Sequence, residues 1–537
     1  MEVLIVGAGP VGLTAACELA RHGIRPRIID KAPLPSPFSK ALGIHARTME
    51  VFERMGVDGA FLEQGMKVHG INIWLGSDKR TIKVRFDGLD SPYPFILDLP
   101  QSQTERILSQ CLTERYGVRI ERGVELLELE QRDGFVEVKL LHPDGTEETA
   151  QTAWLLGMDG AHSTVRHRLG VPFEGSAYPE SFVLADVRIE WDLEEDLFQF
   201  FSHDQGILAA FSYGNQRYRL MADAEGGADP DGKVQEPTLE QFQRIVDERC
   251  PVPAKLSEPV WLAGFRTHLR HVKQTRHGRV FLAGDASHIH SPAGGQGMNT
   301  GIQDAFNLAW KLALVVKGHA EPSLLETYPV ERIPVAESVL KMTDTMMKIV
   351  TEHHAVVQKL RNHIAPFIVN SEIVQHRMRE QLSEIAVHYR HSPIVREHHA
   401  SLLHRLIHSK VRAGDRAPDV PDVIGPDSEA KRLYEILRGT NHALLLVVKD
   451  WLPVGGELDR LSRWSRLLDV YVVAENTPVQ PNEHYSLIQD PEQRIAQRYG
   501  LNHNTMILLR PDGYIGYLGD SFDFGSLQSY LDSFLIP

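Results

Sequence analysis

Gly7-Ala8-Gly9-Pro10-Val11-Gly12 lies between an apolar run, Glu2 to Val6, and a stretch of helical character from about Val11 to His22. Each glycine has a separate physical reason to be there. Gly7 permits a tight turn, Gly9 lets backbone approach a pyrophosphate, and Gly12 allows close helix–strand packing. A helix opening at this point presents unpaired N–H groups and the positive end of its dipole to phosphate. Asp30, with Lys31 beside it, ends a second strand-like run from Arg25 and is placed to accept ribose hydroxyls. Strand, Gly-rich turn, helix, strand and acid in this order predict a dinucleotide cradle. They leave FAD and NAD(P) equally open.

The elements that must hold this cradle are legible in outline. Arg47 to Met55 and Gln103 to Tyr116 read as helices, the second with Ile107, Leu108, Cys111 and Leu112 at helical spacing. Val118 to Thr149 alternates as strands do, around a Pro143-Asp144-Gly145 turn. Leu184 to Ile189 and Arg217 to Met221 read as strands of a separate sheet rich in Phe and Tyr. Val280 to Gly284 is a strand entering a second Gly-rich loop, followed by a helix from about Gly301 to Val316. From Pro322 to about Ser409 the pattern is mainly helical, and the Gly-, Pro- and Asp-rich stretch Gly414–Pro426 reads as a linker. Strands at Ala443–Val448, Val470–Val473, Thr505–Leu509 and Tyr514–Leu518 then alternate with helical stretches, as in a small α/β domain.

Composition narrows the function classes. With 57 basic and 71 acidic residues the net charge is -14, which disfavours nucleic acid as a partner. The three cysteines, Cys17, Cys111 and Cys250, form no CxxC pair, a count that fits a reducing cytoplasm. Val3 to Cys17 is apolar but lacks a basic lead, and no other segment approaches a membrane span. Ten of the 26 histidines fall between His353 and His408; His404 and His408 are four residues apart, yet without cysteine or HExxH partners they read as a solvated helix face rather than a metal site.

Two further motifs decide between the cofactors. Gly157-Met158-Asp159-Gly160-Ala161-His162-Ser163-Thr164-Val165-Arg166 and Gly278-Arg279-Val280-Phe281-Leu282-Ala283-Gly284-Asp285, followed by Pro292-Ala293-Gly294-Gly295-Gln296-Gly297-Met298-Asn299, resemble the DG and GD motifs of the single-component flavoprotein aromatic hydroxylases. The likeness is strongest to the branch with phenol hydroxylase, pentachlorophenol monooxygenase, aromatic-polyketide hydroxylases and rifampicin monooxygenase, and it runs along essentially the whole chain. It implies an α/β fold: a Rossmann-like FAD domain from 1–175 and 265–395 with a helical extension, an inserted β-sheet substrate domain at 176–264, and a thioredoxin-like domain at 412–537.

The resemblance also implies roles. Asp285 binds the ribityl chain of FAD, next to Gly284. Pro292, Gly295, Gly297, Met298 and Asn299 line the isoalloxazine through backbone groups, while Arg47, Gln103 and Asp159 contact the cofactor. Asp-Gly and Gly-Asp pairs also cap helices and form turns, so a structural role for Asp159 stands beside the binding one. There is one dinucleotide fingerprint only, so NADPH or NADH is expected as a transient co-substrate on the FAD domain. The implied reaction passes through a flavin C4a-hydroperoxide, made from dioxygen, whose outer oxygen is attacked by an electron-rich ring. Such chemistry asks the protein to exclude water and align the ring, and no catalytic acid or base is assigned, although His45, His288 and His290 lie in flavin-side loops. Phe182, Phe211 and Tyr213 are the candidate substrate wall. A tail without cysteines excludes redox exchange there and leaves packing or homodimer formation. Two other readings are an enzyme that epoxidises or inactivates a non-phenolic natural product or antibiotic, and a regulatory protein that holds FAD without turnover.

Overall fold

The apolar run at the start folds as the strand Val3–Val6, buried at every residue. It lies inside a six-stranded sheet ordered Arg276–His277, Val280–Leu282, Trp154–Gly157, Val3–Val6, Arg27–Asp30, Ile120–Arg122. The inner pairings are parallel, and such strands are covered on both faces, which explains their unbroken apolar sequences. Helices Pro10–Arg21 and Gly297–Val316 cover one face through Leu13, Ala16, Ile302 and Leu308. A three-stranded antiparallel sheet (Glu125–Gln131, Val136–Leu141, Glu147–Thr152) covers the other through Leu126, Val138 and Leu140. This is a computed structural model, which describes residues 1–37, 39, 41–76, 80–224, 234–291, 294–351, 372–399, 410–449, 458–475 and 484–537. No helix among the described residues is long and apolar enough to cross a membrane.

The helix expected at Gln103 to Tyr116 runs from Gln101 to Gln110 and continues as a π-helical turn, Cys111–Arg115. Downstream of Pro322 the expected helix is present as Thr327–Thr351 and Glu372–Leu382. Arg396–His398, however, is a strand, and it pairs with Ile515–Gly519. His353, His404 and His408 lie outside the described residues.

A second, eight-stranded sheet is built mainly on two 17-residue strands, Glu174–Glu190 and Lys255–His271, paired antiparallel. Two of its strands, Gly70–Leu75 and Arg80–Arg85, come from far upstream of the 176–264 interval, and Leu197–His203 pairs in parallel with the first of them. The sheet is therefore discontinuous in sequence, and at its other end it extends to His288–Ile289. One face is sealed by the helix Leu239–Arg249, whose Phe242, Ile245 and Val246 meet Val183, Ala185 and Val187.

The C-terminal unit carries its own eight-stranded sheet, including His442–Val447, Leu468–Ala474, Thr505–Leu509 and Ile515–Gly519. The stretch expected to be a linker is packed instead. Ala417 and Val420 are buried, and the Arg416 guanidinium donates to Glu50 at 3.1 Å and to the Tyr434 hydroxyl at 2.8 Å. Glycine, proline and aspartate there shape a buried turn rather than a tether. The turn Arg510–Gly513 reaches into the first domain. Arg510 pairs with Glu331 at 2.6 Å, and Asp512 accepts from the Trp310 indole at 3.1 Å. The Asp512 carbonyl accepts from Arg47 at 2.7 Å.

Candidate active site

Val6, Gly157 and Leu282 stand abreast, paired residue for residue across three adjacent parallel strands. The loops that leave these strands are therefore neighbours: the Gly7–Gly12 turn, the Asp159-Gly160 loop and the Gly284-Asp285 loop. Strand spacing puts the outer two roughly 10 Å apart, within the reach of one extended dinucleotide. Ile29 pairs with Val6 on the other side, which brings Asp30 to the same edge. All four loops sit at the carboxyl ends of the strands, where open α/β sheets bind ligands.

Contacts between the loops are tight where they are structural and open where a ligand must enter. Gly7 has a φ of +104°, and a Cβ on it would lie 2.3 Å from the Met158 carbonyl oxygen. A Cβ on Gly12 would come within 1.9 Å of the Gly7 carbonyl oxygen, and one on Gly284 within 2.8 Å of Val11. Gly9 differs: it has ordinary φ, and a Cβ there would meet nothing within 4 Å. Its helix has Pro10 as first residue and no side-chain cap, and the intrahelical ladder begins with Leu13 donating to Gly9. The amides of Val11 and Gly12 precede that ladder, as anion binding at a helix start requires.

Asp30 accepts from Ala8 N–H at 2.7 Å and from Ala32 N–H at 2.8 Å, with Arg122 at 3.5 Å and Lys31 exposed next to it. Asp159 has the structural role the sequence allowed. Its Oδ2 accepts from Val165 N–H at 3.1 Å, a cap on the short helix Thr164–Arg168, while its Oδ1 is buried without a partner. Burial pushes this carboxyl above its usual range, against hydrogen bonds from Ser163 and Val165. Arg166 of the same motif, given no role from sequence, bridges the two loops. Its guanidinium donates to the Ala161 and Ala286 carbonyls at 2.8 and 3.0 Å and lies over the Phe173 ring at 3.9 Å. Asp285 is exposed at the mouth of the cleft. Beneath it Asp304 accepts from Gly284 N–H, His288 and Arg332, which fixes the loop from below.

The second Gly-rich loop is clamped by the Asn299 side chain. Asn299 accepts from His45 N–H at 2.9 Å and donates to the Gly43 and Gly295 carbonyls at 2.9 and 3.0 Å. The expectation for Asn299 concerned backbone; its amide group also ties the two loops together. The first helical bond here is Thr300 to Gln296, so the amides of Gly297, Met298 and Asn299 precede the ladder, with the Met298 side chain in the core. His45 shares a hydrogen bond with the Gly294 carbonyl at 2.9 Å, and burial holds it down to about 4, so the ring is neutral and its Nδ1 has no partner. His290, against Gly297, is likewise held down to about 4 by burial. Pro292 lies outside the described residues. Gln103 sits on the first turn of Gln101–Gln110, engaged by Arg106.

Arg47 is not at this cleft. Its guanidinium is buried between Glu50, at 2.8 Å, and the Asp512 carbonyl, and lies over the Tyr514 ring at 4.8 Å. The C-terminal turn claims a cation that sequence reasoning assigned to the cofactor.

The other face of the eight-stranded sheet is turned toward Val68, Phe86 and Ile96. Phe182, Leu184 and Asp186 alternate onto it, opposite Met221 and Arg219, and Phe211 pairs with Arg219 on the next strand. Phe182 is fully buried against Phe265 at 6.0 Å and packs with Ile207. Phe211 is half-buried at 5.0 Å from Phe198. Tyr213 is half-buried too, and burial pushes its hydroxyl up to about 12.

This arrangement is matched among known proteins. Residues 1–343 fit the family model described as FAD binding domain. The chain belongs to the FAD-binding flavoprotein hydroxylases. A 6-methylpretetramide 4-monooxygenase of Streptomyces rimosus is 34% identical over 100% of this chain and 94% of that protein. A pentachlorophenol 4-monooxygenase of Sphingobium chlorophenolicum is 33% identical over 96% and 93%. Among solved structures, an anhydrotetracycline hydroxylase of Streptomyces rimosus superposes with a TM-score of 0.76 at 29% identity, covering 100% and 99% of the two chains. This hydroxylase is thus an FAD-dependent monooxygenase, and the family's flavin is its cofactor.

Proposed function

We propose that the protein inserts one oxygen atom from dioxygen into a phenolic or polycyclic aromatic substrate, with NADPH or NADH as the electron donor. The carrying observation is the register that sets the three motif loops side by side facing an aromatic sheet. Bound FAD would supply the redox chemistry, hydride acceptance from the nicotinamide and activation of dioxygen.

The chain's own residues then have definite tasks. Val11 and Gly12 amides hold the pyrophosphate over Gly9, and Asp30 takes the adenosine ribose. Asp285 would take the ribityl hydroxyls, and the unpartnered Asp159 Oδ1 lies on the neighbouring loop. The amides of Gly297, Met298 and Asn299, which precede the helical ladder, would hold the flavin and offset the charge that grows on its reduction. Asn299, bonded to Gly43 and His45, ties that loop to the one carrying His45 and would keep the cofactor's seat rigid. Phe211 and Tyr213 line the chamber, and Phe182 supports it from within. Neutral His45 adds no charge beside the ring and helps keep the site dry. A cytoplasmic location and a homodimer belong to the same reading. Its support is the cysteine usage and a C-terminal unit without cysteines.

The test is aerobic turnover with a panel of phenols and hydroxyquinones, following NADPH oxidation, oxygen uptake and product mass. A product heavier by one oxygen atom is expected. Bleaching of the flavin by NADPH with no oxygenated product from any aromatic would overturn the reading.

A further inference from the structure

Asp98 ends the short strand Ile96–Asp98, which pairs with Gly43–Ile44 on one side and Met66–Val68 on the other. Alternation puts Ile96 and Asp98 on one face and Leu97 on the other. Leu97 enters the core of the FAD domain, whereas Ile96 packs with Phe198 and Phe211 of the sheet wall. The Asp98 carboxyl thus lies between the wall and the Gly43 backbone that Asn299 holds against the flavin-side loop; its Oδ1 is 3.7 Å from where a Gly43 Cβ would be. It is 1% exposed, and neither oxygen has a hydrogen-bond partner.

Among the described residues the charged group that acts on it is Arg219. Arg219 is held bidentate by Asp186 at 2.8 and 2.7 Å, beneath the Trp261 ring at 5.3 Å. Among the described residues Tyr213 is a further titratable neighbour. A carboxylate sealed from water without a donor is costly, so such a group keeps its proton. Burial does push Asp98 well above the usual carboxylate range, and Arg219 pulls it back only in part. A neutral carboxylic acid carries an O–H donor, and among the described residues nothing accepts it.

We propose that Asp98 is a specificity-determining residue whose protonated carboxyl donates a hydrogen bond to an oxygen acceptor of the substrate, a ring ketone or quinone carbonyl remote from the hydroxylated position. The inference rests on the aromatic hydroxylation proposed above and adds the substrate class: a carbonyl-bearing phenolic ring system. Sites built to hydrogen-bond a substrate group reject analogues lacking it, because their buried partner is left unmet. The unpaired carboxyl is also a stability cost kept for function, as binding sites often show.

The test titrates the wild-type holoenzyme, without oxygen, with 5-hydroxy-1-tetralone and with 5,6,7,8-tetrahydro-1-naphthol, which differ by the ketone alone, reading the flavin absorbance. The ketone is expected to bind about ten-fold tighter or better. Asp98→Leu should erase that ratio and melt higher than wild type, since it replaces an unpaired polar group with an apolar one of similar size. Asp98→Asn, whose amide still donates, should keep most of the ratio. Equal binding of the pair by wild type, binding of neither, an unchanged ratio in Asp98→Leu, or loss of FAD by both variants would each overturn the assignment. The aerobic turnover panel described above, read on wild type as a product heavier by one oxygen atom, tests the underlying function separately.

Discussion

Arg510→Met probes how firmly the C-terminal unit is built into the enzyme. Four charges form a buried cluster: Arg510 and Glu331 at 0% and 1% side-chain exposure, with Lys311 and Asp512 as buried. Burial alone would raise the Glu331 carboxyl, but Arg510 and Lys311 hold it well below its usual range; burial brings the Lys311 ammonium down to about 8. Two cations face two carboxylates. Removing Arg510 leaves Glu331 and Asp512 to share Lys311, an uncompensated buried negative charge, for which a loss of about 3–5 kcal/mol is expected. Met fills much of the volume, so the cavity contribution is small. Urea unfolding followed through tryptophan emission suits the question, because Trp310 lies under the Arg510 guanidinium at 5.3 Å and donates to Asp512. Adding Glu331→Leu restores one cation to one carboxylate, so the double variant should be more stable than the sum of the two single losses by about 1–3 kcal/mol. A loss below about 1 kcal/mol for Arg510→Met, or strict additivity, would refute the argument.

Further outcomes follow from the same geometry. Gly9→Ala should leave the apoprotein folded, because its Cβ meets nothing, while weakening FAD binding by ten-fold or more; Gly12→Ala should impair folding itself, since its Cβ lies 1.9 Å from a carbonyl oxygen. Circular dichroism with FAD titration separates the two, and equal behaviour would mean the open side of Gly9 is not the pyrophosphate seat. Asp285→Ala should purify largely colourless, and a fully yellow preparation counts against the ribityl contact. Burial raises Glu384 from 4.5 to about 7, against hydrogen bonds from Thr300 and Gln303. A raised carboxyl contributes stability that is present below pH 4.5 and lost as pH climbs through about 7. Glu384→Gln should therefore gain on wild type by up to about 3 kcal/mol between pH 4.5 and 8 in unfolding midpoints; a pH-independent difference would show that Glu384 does not titrate there.

What could be read in advance was local. The Gly7–Gly12 turn, the Asp159 loop and the Gly284 loop carry their geometry in consecutive residues, so their neighbours in space follow from strand–loop–helix order. Residues whose role depends on distant segments were not legible. Arg47 follows a loop that faces the cofactor, but its partner, Asp512, lies 465 residues further on. Asp98 reads as one polar residue in Ile-Leu-Asp-Leu-Pro, and only the packing of Ile96 on Phe198 and Phe211 shows which way it points. Gly70–Leu75 and Arg80–Arg85 were missed as members of the substrate sheet, because a parallel partner 127 residues away leaves no local trace. The Gly414–Pro426 stretch has loop composition, and nothing short of tertiary structure reveals that Arg416 and Ala417 are buried.

The register Val6–Gly157–Leu282 has a consequence for biosynthesis. A growing chain emerges amino terminus first, so the initial strand, paired early with Arg27–Asp30, waits for its other neighbour at Trp154, and that strand in turn waits for Val280. Through more than half of translation the nascent polypeptide carries an unfinished nucleotide seat, because the Gly284 loop follows the last of the three strands. Flavin loading is thus a late event, and slow elongation or scarce riboflavin during overexpression should favour aggregation over a yellow product.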